Sequence, residues 1–373
     1  MKVLILSITA GQGHHACGAA ISDYLKSKGV QCRMLDCLSY INKLLGESVS
    51  QGYLLSTQYS PAAYGKLYRL AEKKEKPNGM LSLPKMTVSL LAKKLENYCL
   101  AYEPDLIVCT HVFAAQLATE FTVCKVPTIG IITDFCVHPF WEDTKMDYYV
   151  TASELLENQV RKKVGNDANL LPFGIPINEK FSHSVSKQEA RATLGIEDKT
   201  TVFIISGSMG YGNIVKHIKH LDRLNLDFQI VSVCGRNEHA KKKVDALSLS
   251  KKIYNYGYVN NVDVMMDAAD IIITKPGGLT SSEALAKGIP MILMNPIPGQ
   301  EDRNAEFFLN NGIATLISET FPVDECLFDM LNNDWRLPLM ETAVKNVAKP
   351  HAAKELGDFI IETVNTRLRE KNN

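Results

Sequence analysis

The sequence predicts an α/β protein built from two doubly wound parallel sheets, and three observations carry that expectation. Short β-branched runs alternate with stretches of helical periodicity along the chain; the runs read apolar on both faces; and an opening of strand, glycine-rich turn and helix recurs once, near residue 200. A strand apolar on both faces needs helices above and below it, and parallel neighbours need a crossover that a helix supplies.

In chain order, the first half offers "KVLILSI" (2–8), "VQCRMLDC" (30–37), "DLIVCTH" (105–111), "VPTIGIITD" (126–134) and "DYYVTAS" (147–153) as strands. The rhythm resumes with "TTVFIISGS" (200–208), "DFQIVSVCG" (227–235), "KIYNYGYV" (252–259), "DIIITKPGG" (270–278), "PMILM" (290–294) and "ATLIS" (314–318). Between the two series, Pro172, Gly174 and Pro176 punctuate "LLPFGIPINEKFSHSVSKQ", which places a boundary near residues 175–185. The expected organisation is an N-terminal domain over 1–180, a C-terminal domain over 181–345 and a C-terminal helix over 346–373. In that helix Leu356, Phe359, Ile360, Val364 and Leu368 share one face. It either closes the second domain or crosses back to the first.

Composition narrows the function. The 373 residues suit two domains, and 46% apolar with 22% charged content is that of a soluble globular protein. The 41 basic and 41 acidic residues cancel, so no overall field recruits nucleic acid. Nine cysteines without a C-x-x-C pair read as reduced core residues and point to the cytosol. The opening apolar run is about six residues, short of a signal peptide, and no window reaches the roughly 18–20 apolar residues of a membrane span.

Residues able to do chemistry gather where the strands end, which is where open α/β sheets bind ligands. In "GQGHHACGAAI", Gly13 and His14 follow the first strand; His111 ends the third, and Asp134 and His138 follow the fourth. His14, Asp134 and His138 are the catalytic candidates. A zinc site of His111, His138 and Asp134 is the rival, without helical or hairpin ligand spacing to support it.

In the second half, "SGSMGYGN" gives a glycine-rich turn with Ser208 and Gly210, suited to a diphosphate but without dinucleotide spacing. "KPGGLTSSEALAKGIP" passes Pro276, Gly277 and Gly278 and then enters a helix with Thr280, Ser281, Ser282 and Glu283 in its first turn, an arrangement suited to phosphate, with Glu283 a candidate for ribose hydroxyls. An ordinary capping box explains the same letters. Gln300 and Glu301 in "PGQEDRNAEFF" offer the mixed donors and acceptors that sugar hydroxyls need. Together these suggest a nucleotide-sugar site.

Residues 40–102 fit the α/β rhythm least. From 61 to 102 they carry a net charge of +5 among Leu, Met and Tyr, a pattern suited to lying on anionic lipid, or else an ordinary solvated helical pair.

The motifs "GQGHHACGAAI", "PDLIVCTHVFAA", "TDFCVHPFW", "FGIPI", "KPGGLTSSEALAKGIPMIL" and "PGQEDRNAEFF" resemble, in order from residue 4 to about 315, those of the monogalactosyldiacylglycerol synthase and processive diacylglycerol glucosyltransferase family. The resemblance implies a GT-B fold of glycosyltransferase family 28, two Rossmann-like domains facing across a cleft. It implies inverting transfer of a hexose from a UDP-sugar to a lipid hydroxyl, with diacylglycerol or a glycosyl-diacylglycerol as acceptor, at the inner face of the cell membrane, with no metal and no further cofactor. By motif position it assigns Ser208, the turn around Gly210, Thr280 and Ser281 to the diphosphate and Glu283 to the ribose. Gln300 and Glu301 go to the sugar and the backbone near Val259 to the uracil. His14, Asp134 and His138 fall near the acceptor. A UDP-sugar 2-epimerase, or transfer to another lipid or a small aglycone, is the alternative.

Overall fold

The computed structural model describes residues 1–8, 13–41, 85–207 and 213–372. They form two six-stranded sheets, each wholly parallel. Residues Met1–Glu179, Pro298–Gln300 and His351–Asn373 make one compact unit, and Lys180–Ile297 with Glu301–Pro350 the other.

The first sheet contains β1 (Lys2–Ser7), β2 (Gln31–Asp36), β3 (Leu106–Cys109), β4 (Thr128–Ile131), β5 (Tyr148–Val150) and β6 (Asn169–Leu171), in the order β2-β1-β3-β4-β5-β6. Val3, Leu4, Ile5 and Leu6 and all of β3 are buried, as strands covered on both faces must be. β6 is an addition to the sequence expectation: three residues, without a β-branched side chain, held at the sheet edge beside β5.

The helix Ala352–Asn372 belongs to this first unit. Leu356, Ile360 and Val364 are buried, and Phe359 meets Tyr148 and Phe173 edge-on. Tyr24, on the helix Gly13–Ser27, donates its hydroxyl to Asp358 at 2.6 Å. A Cβ at Gly357 would stand 2.2 Å from Tyr24 Cδ1, so the two helices approach through a glycine. Leu368, expected on the packed face, is 40% exposed because it lies in the final turns, beyond the last buried residue of the helix, Val364.

The second sheet contains β7 (Thr201–Ile205), β8 (Gln229–Val233), β9 (Ile253–Tyr256), β10 (Ile271–Thr274), β11 (Met291–Leu293) and β12 (Ala314–Leu316), in the order β12-β11-β10-β7-β8-β9. Every residue of β7, β8, β10 and β11 is buried. Val202, Ile204, Ile230, Ile271, Ile273 and Ile292 pack with Ile218, Leu221 and Leu327 from the covering helices. Each such side chain contributes about 1.5–3 kcal/mol by leaving water.

Both sheets reverse direction once. β1 lies between β2 and β3, and β7 between β8 and β10, so the chain builds outward on one side and then returns to the other. Beyond the strand ends at such a switch point the connections diverge and leave a crevice. His14 and His111, after β1 and β3, stand at the switch point of the first unit, and Gly278, Thr280 and Ser281, after β10, at that of the second.

Candidate active site

His14 sits in the first turn of Gly13–Ser27, following β1, and Thr110 and His111 follow β3 next to it. The Nδ1 of His14 lies 2.9 Å from the carbonyl oxygen of Thr110 and 2.9 Å from Thr133 Oγ1. A carbonyl only accepts, so Nδ1 carries the hydrogen. Burial lowers the His14 pKa below the usual imidazole value, against the Asp134 charge and the Thr110 carbonyl, which both favour the protonated ring. The ring is therefore neutral at pH 7, with its lone pair on Nε2, which is the form a general base needs. The adjacent His15 is exposed. Gly13 begins the helix, and the rest of its turn, residues 9–12, lies outside the described residues.

His111 and His138 repeat one local device. Each is an N-cap whose Nδ1 accepts the backbone N–H of the residue two positions on, Phe113 and Phe140 respectively, both at 3.1 Å. Burial, and then the neighbouring His14 and His138, depress the His111 pKa well below its ordinary value. Burial, and then Lys163, bring His138 to about 4. Both rings are neutral with Nδ1 spent on a cap, so their hydrogen is on Nε2. His138, expected from sequence among the catalytic groups, thus commits Nδ1 to the cap and carries its hydrogen on Nε2. Among the described residues no group of three or more His, Cys, Asp or Glu is placed to hold a metal ion. Asp134, just past β4, accepts from Gln300 Nε2 at 3.2 Å. Gln300, expected at the donor sugar, falls in the short segment that groups with the first unit.

In the second unit the segment after β10 turns at Pro276-Gly277 into the helix Gly278–Ala286. Its N-cap is Gly277, with no side-chain cap, so the capping box that the letters T-S-S-E suggest is not formed. The helix starts at Gly278, earlier than a Ser or Thr cap implies, and Glu283 stands in its second turn. The first-turn N–H groups of Gly278, Leu279 and Thr280 have no acceptor within the helix. Nothing lies within 4 Å of where a Gly277 Cβ would be. Ser281 Oγ is fully buried without a hydrogen-bond partner, and so is Ser206 Oγ at the end of neighbouring β7. Ser282 is spent within the helix on Gly278 O at 2.7 Å. Asn304 Nδ2 donates to Pro276 O at 3.0 Å and pins the turn. Ser208 and Gly210 lie outside the described residues.

Glu283 is partly buried, and burial pushes its pKa up to about 8; Lys180 opposes the shift and Asp263 adds to it. Lys180 and Asp263 are paired at 2.9 Å, which leaves little net field at the carboxyl. Val259 lies three residues beyond the end of β9, next to Asn260, whose carbonyl accepts from Lys180 Nζ. Glu301, expected at the sugar, commits Oε2 to the Ile297 N–H at 2.7 Å.

Sequence reasoning missed Thr110, Thr133 and Ser206 as site residues. Thr110 acts through its backbone carbonyl, which no side-chain pattern reports. Of the basic region 61–102, residues 61–84 lie outside the described residues; the helix Lys85–Tyr102 exposes Leu90, Lys93 and Leu100 and buries Glu96 against the Val123 and Cys124 N–H groups. No described helix is long and apolar enough to cross a membrane.

Comparison with known proteins bears on this arrangement. The profile of monogalactosyldiacylglycerol (MGDG) synthase matches residues 14–177, and that of the glycosyltransferase family 28 C-terminal domain matches 201–356. A processive diacylglycerol beta-glucosyltransferase of Bacillus cereus is 30% identical over 375 residues, covering 96% of this chain and 93% of the relative. That of Bacillus pumilus is 29% identical over 371 residues, covering 97% and 94%. Among solved structures, Acinetobacter baumannii MurG superposes with a TM-score of 0.64 at 15% identity over 97% of this chain and 99% of that one. Anabaena HepE, solved in complex with UDP, superposes at 0.57 with 14% identity over 98% and 100%.

Proposed function

The chain belongs to the family of monogalactosyldiacylglycerol synthases and processive diacylglycerol glucosyltransferases, on a GT-B fold, and from that premise we propose that it moves a hexose from a UDP-sugar to a lipid hydroxyl with inversion at C1. The acceptor is diacylglycerol or a glycosyl-diacylglycerol, and the protein works as a peripheral protein on the cytoplasmic face of the cell membrane. The observation that carries the reading is His14: a neutral imidazole at a switch point, its Nδ1 hydrogen committed to Thr110 O and its Nε2 lone pair available.

In the proposed step the acceptor hydroxyl passes its proton to His14 Nε2 as its oxygen forms the bond to C1, while the bond from C1 to the diphosphate oxygen breaks. The departing UDP takes the electron pair, and its growing charge meets the N–H groups at Gly278–Thr280 and the hydroxyls of Thr280 and Ser281. Ser208 and the turn around Gly210 belong to the same diphosphate site on this reading. Glu283 accepts from the ribose, the backbone near Val259 meets the uracil, and Glu301 faces the sugar on this reading. Asp134 stabilises the imidazolium formed at His14. HepE's UDP supports a nucleotide-diphosphate ligand, and the relatives' names support the lipid acceptor. Membrane contact rests on the net +5 of residues 61–102 with exposed Leu90 and Leu100.

Turnover and UDP affinity measured separately in His14→Ala and Asp134→Ala test the assignment. Turnover should collapse in His14→Ala with UDP affinity retained; wild-type turnover in His14→Ala would remove the base from His14, and its loss in Asp134→Ala alone would move the base to Asp134.

A further inference from the structure

His14 is anchored through one nitrogen only, and a ring held at a single atom can still tilt about that contact. The second constraint is a neighbouring ring. The His111 centroid lies 4.4 Å from that of His14 with the planes 70° apart. His111 is in turn immobilised: its Nδ1 takes the Phe113 N–H, and its ring meets Phe113 at 5.0 Å. Phe113 meets Phe140 at 5.8 Å, and Phe140 meets His138 at 4.4 Å, whose own Nδ1 is fixed by the Phe140 N–H. Five rings thus stand in a row from His14 to His138, braced by two identical caps.

We propose that His111 is a positioning residue, holding the His14 imidazole edge-on in the orientation that leaves its Nε2 lone pair to the acceptor hydroxyl. The inference rests on the reading of His14 as the base. An imidazole suits the task because one side chain supplies both the flat ring against His14 and the cap acceptor that fixes that ring to the backbone. Phenylalanine would supply only the first, asparagine only the second. The charged and titratable groups around His14 are Asp134 after β4, His111 after β3 and, beyond them, His138, which feels Lys163.

The two partial substitutions separate the functions. His111→Asn keeps a cap acceptor and removes the ring, so kcat should fall by about 10- to 100-fold, the cost of a small misplacement at a reacting group. Its KM for the UDP-sugar and its UDP affinity should stay at the wild-type values. Water entering beside His14 should move the acid limb of the pH–rate profile upward, toward that of free imidazole. His111→Phe keeps the ring and loses the cap; it should melt lower than His111→Asn yet turn over faster. The His14 ring resonances, followed through a pH titration in selectively labelled protein, report the same reorganisation without turnover. Wild-type kcat and an unmoved His14 titration in His111→Asn would overturn the proposal, as would a His111→Phe enzyme no faster than His111→Asn. Failure of the base assignment shows differently: His14→Ala would keep its turnover, while the His14 resonances would still move in His111→Asn.

Discussion

Glu283 is held neutral at pH 7 by burial, and that makes donor binding pH-dependent in a direction that can be worked out. With a pKa of about 8, the carboxyl is ionised in roughly one molecule in ten at pH 7 and in about nine in ten at pH 9. A ribose diol donates two hydrogens and is best met by a carboxylate. If the bound form requires the ionised group, the Kd for UDP at pH 7 carries an extra factor of about ten, or ~1.4 kcal/mol, that disappears by pH 9. Calorimetric titration of UDP from pH 7 to 9 should show affinity strengthening about tenfold, and Glu283→Gln should abolish the trend while binding more weakly at pH 9. Stability should respond in the opposite sense. A carboxyl whose folded pKa lies above its unfolded value destabilises the fold progressively as pH rises from about 4.5 to about 8. Glu283→Gln should therefore melt higher than wild type at pH 8 and equally at pH 4. Parallel UDP affinity profiles for wild type and Glu283→Gln would refute the placement of this carboxyl at the ribose.

Three further substitutions probe separate parts of the frame. Ser281→Ala removes a buried hydroxyl that has no partner in the free protein, so melting should be unchanged, while loss of a charge-assisted bond weakens UDP about 10- to 100-fold in a binding titration. Lys287→Met strips the partner from Asp267 across a pair 2.7 Å apart and 1% and 6% exposed; denaturant unfolding should show a loss of about 3–5 kcal/mol. That deficit should shrink as pH falls and Asp267 takes up a proton. Gly357→Ala drives a methyl into the Tyr24 ring and should cost about 1–3 kcal/mol, whereas in a Tyr24→Ala background the same change should stabilise the helix by up to ~1 kcal/mol.

Much of the scaffold was legible because its determinants are local. Uninterrupted apolar runs such as Ile271–Thr274 identify strands buried on both faces, and the recurrence of the strand-turn-helix opening identifies two sheets. β6 was not legible, since Asn169–Leu171 is a strand only because β5 offers it an edge. The candidates His14 and Glu283 are marked by their position at strand ends, yet their protonation could not be read from sequence. The His14 tautomer depends on a carbonyl 96 residues away, and the Glu283 shift on burial that only the folded unit creates. The start of the helix at Gly278 was misread for the opposite reason: the preference for Ser or Thr at an N-cap is overridden where the turn presents bare N–H groups. Gln300 reads as a sugar ligand by motif, and its bond to Asp134 is a long-range pairing that no local pattern encodes.

Lipid-dependent release of UDP tests the central claim most directly. The protein is incubated with UDP-glucose or UDP-galactose and vesicles containing diacylglycerol, and UDP and lipid products are counted together by mass spectrometry. The expected result is one UDP for each hexose found on lipid, with no release when diacylglycerol is omitted. An epimerised donor with no UDP released, or UDP bound tightly with no lipid product from either donor, would contradict glycosyl transfer to lipid.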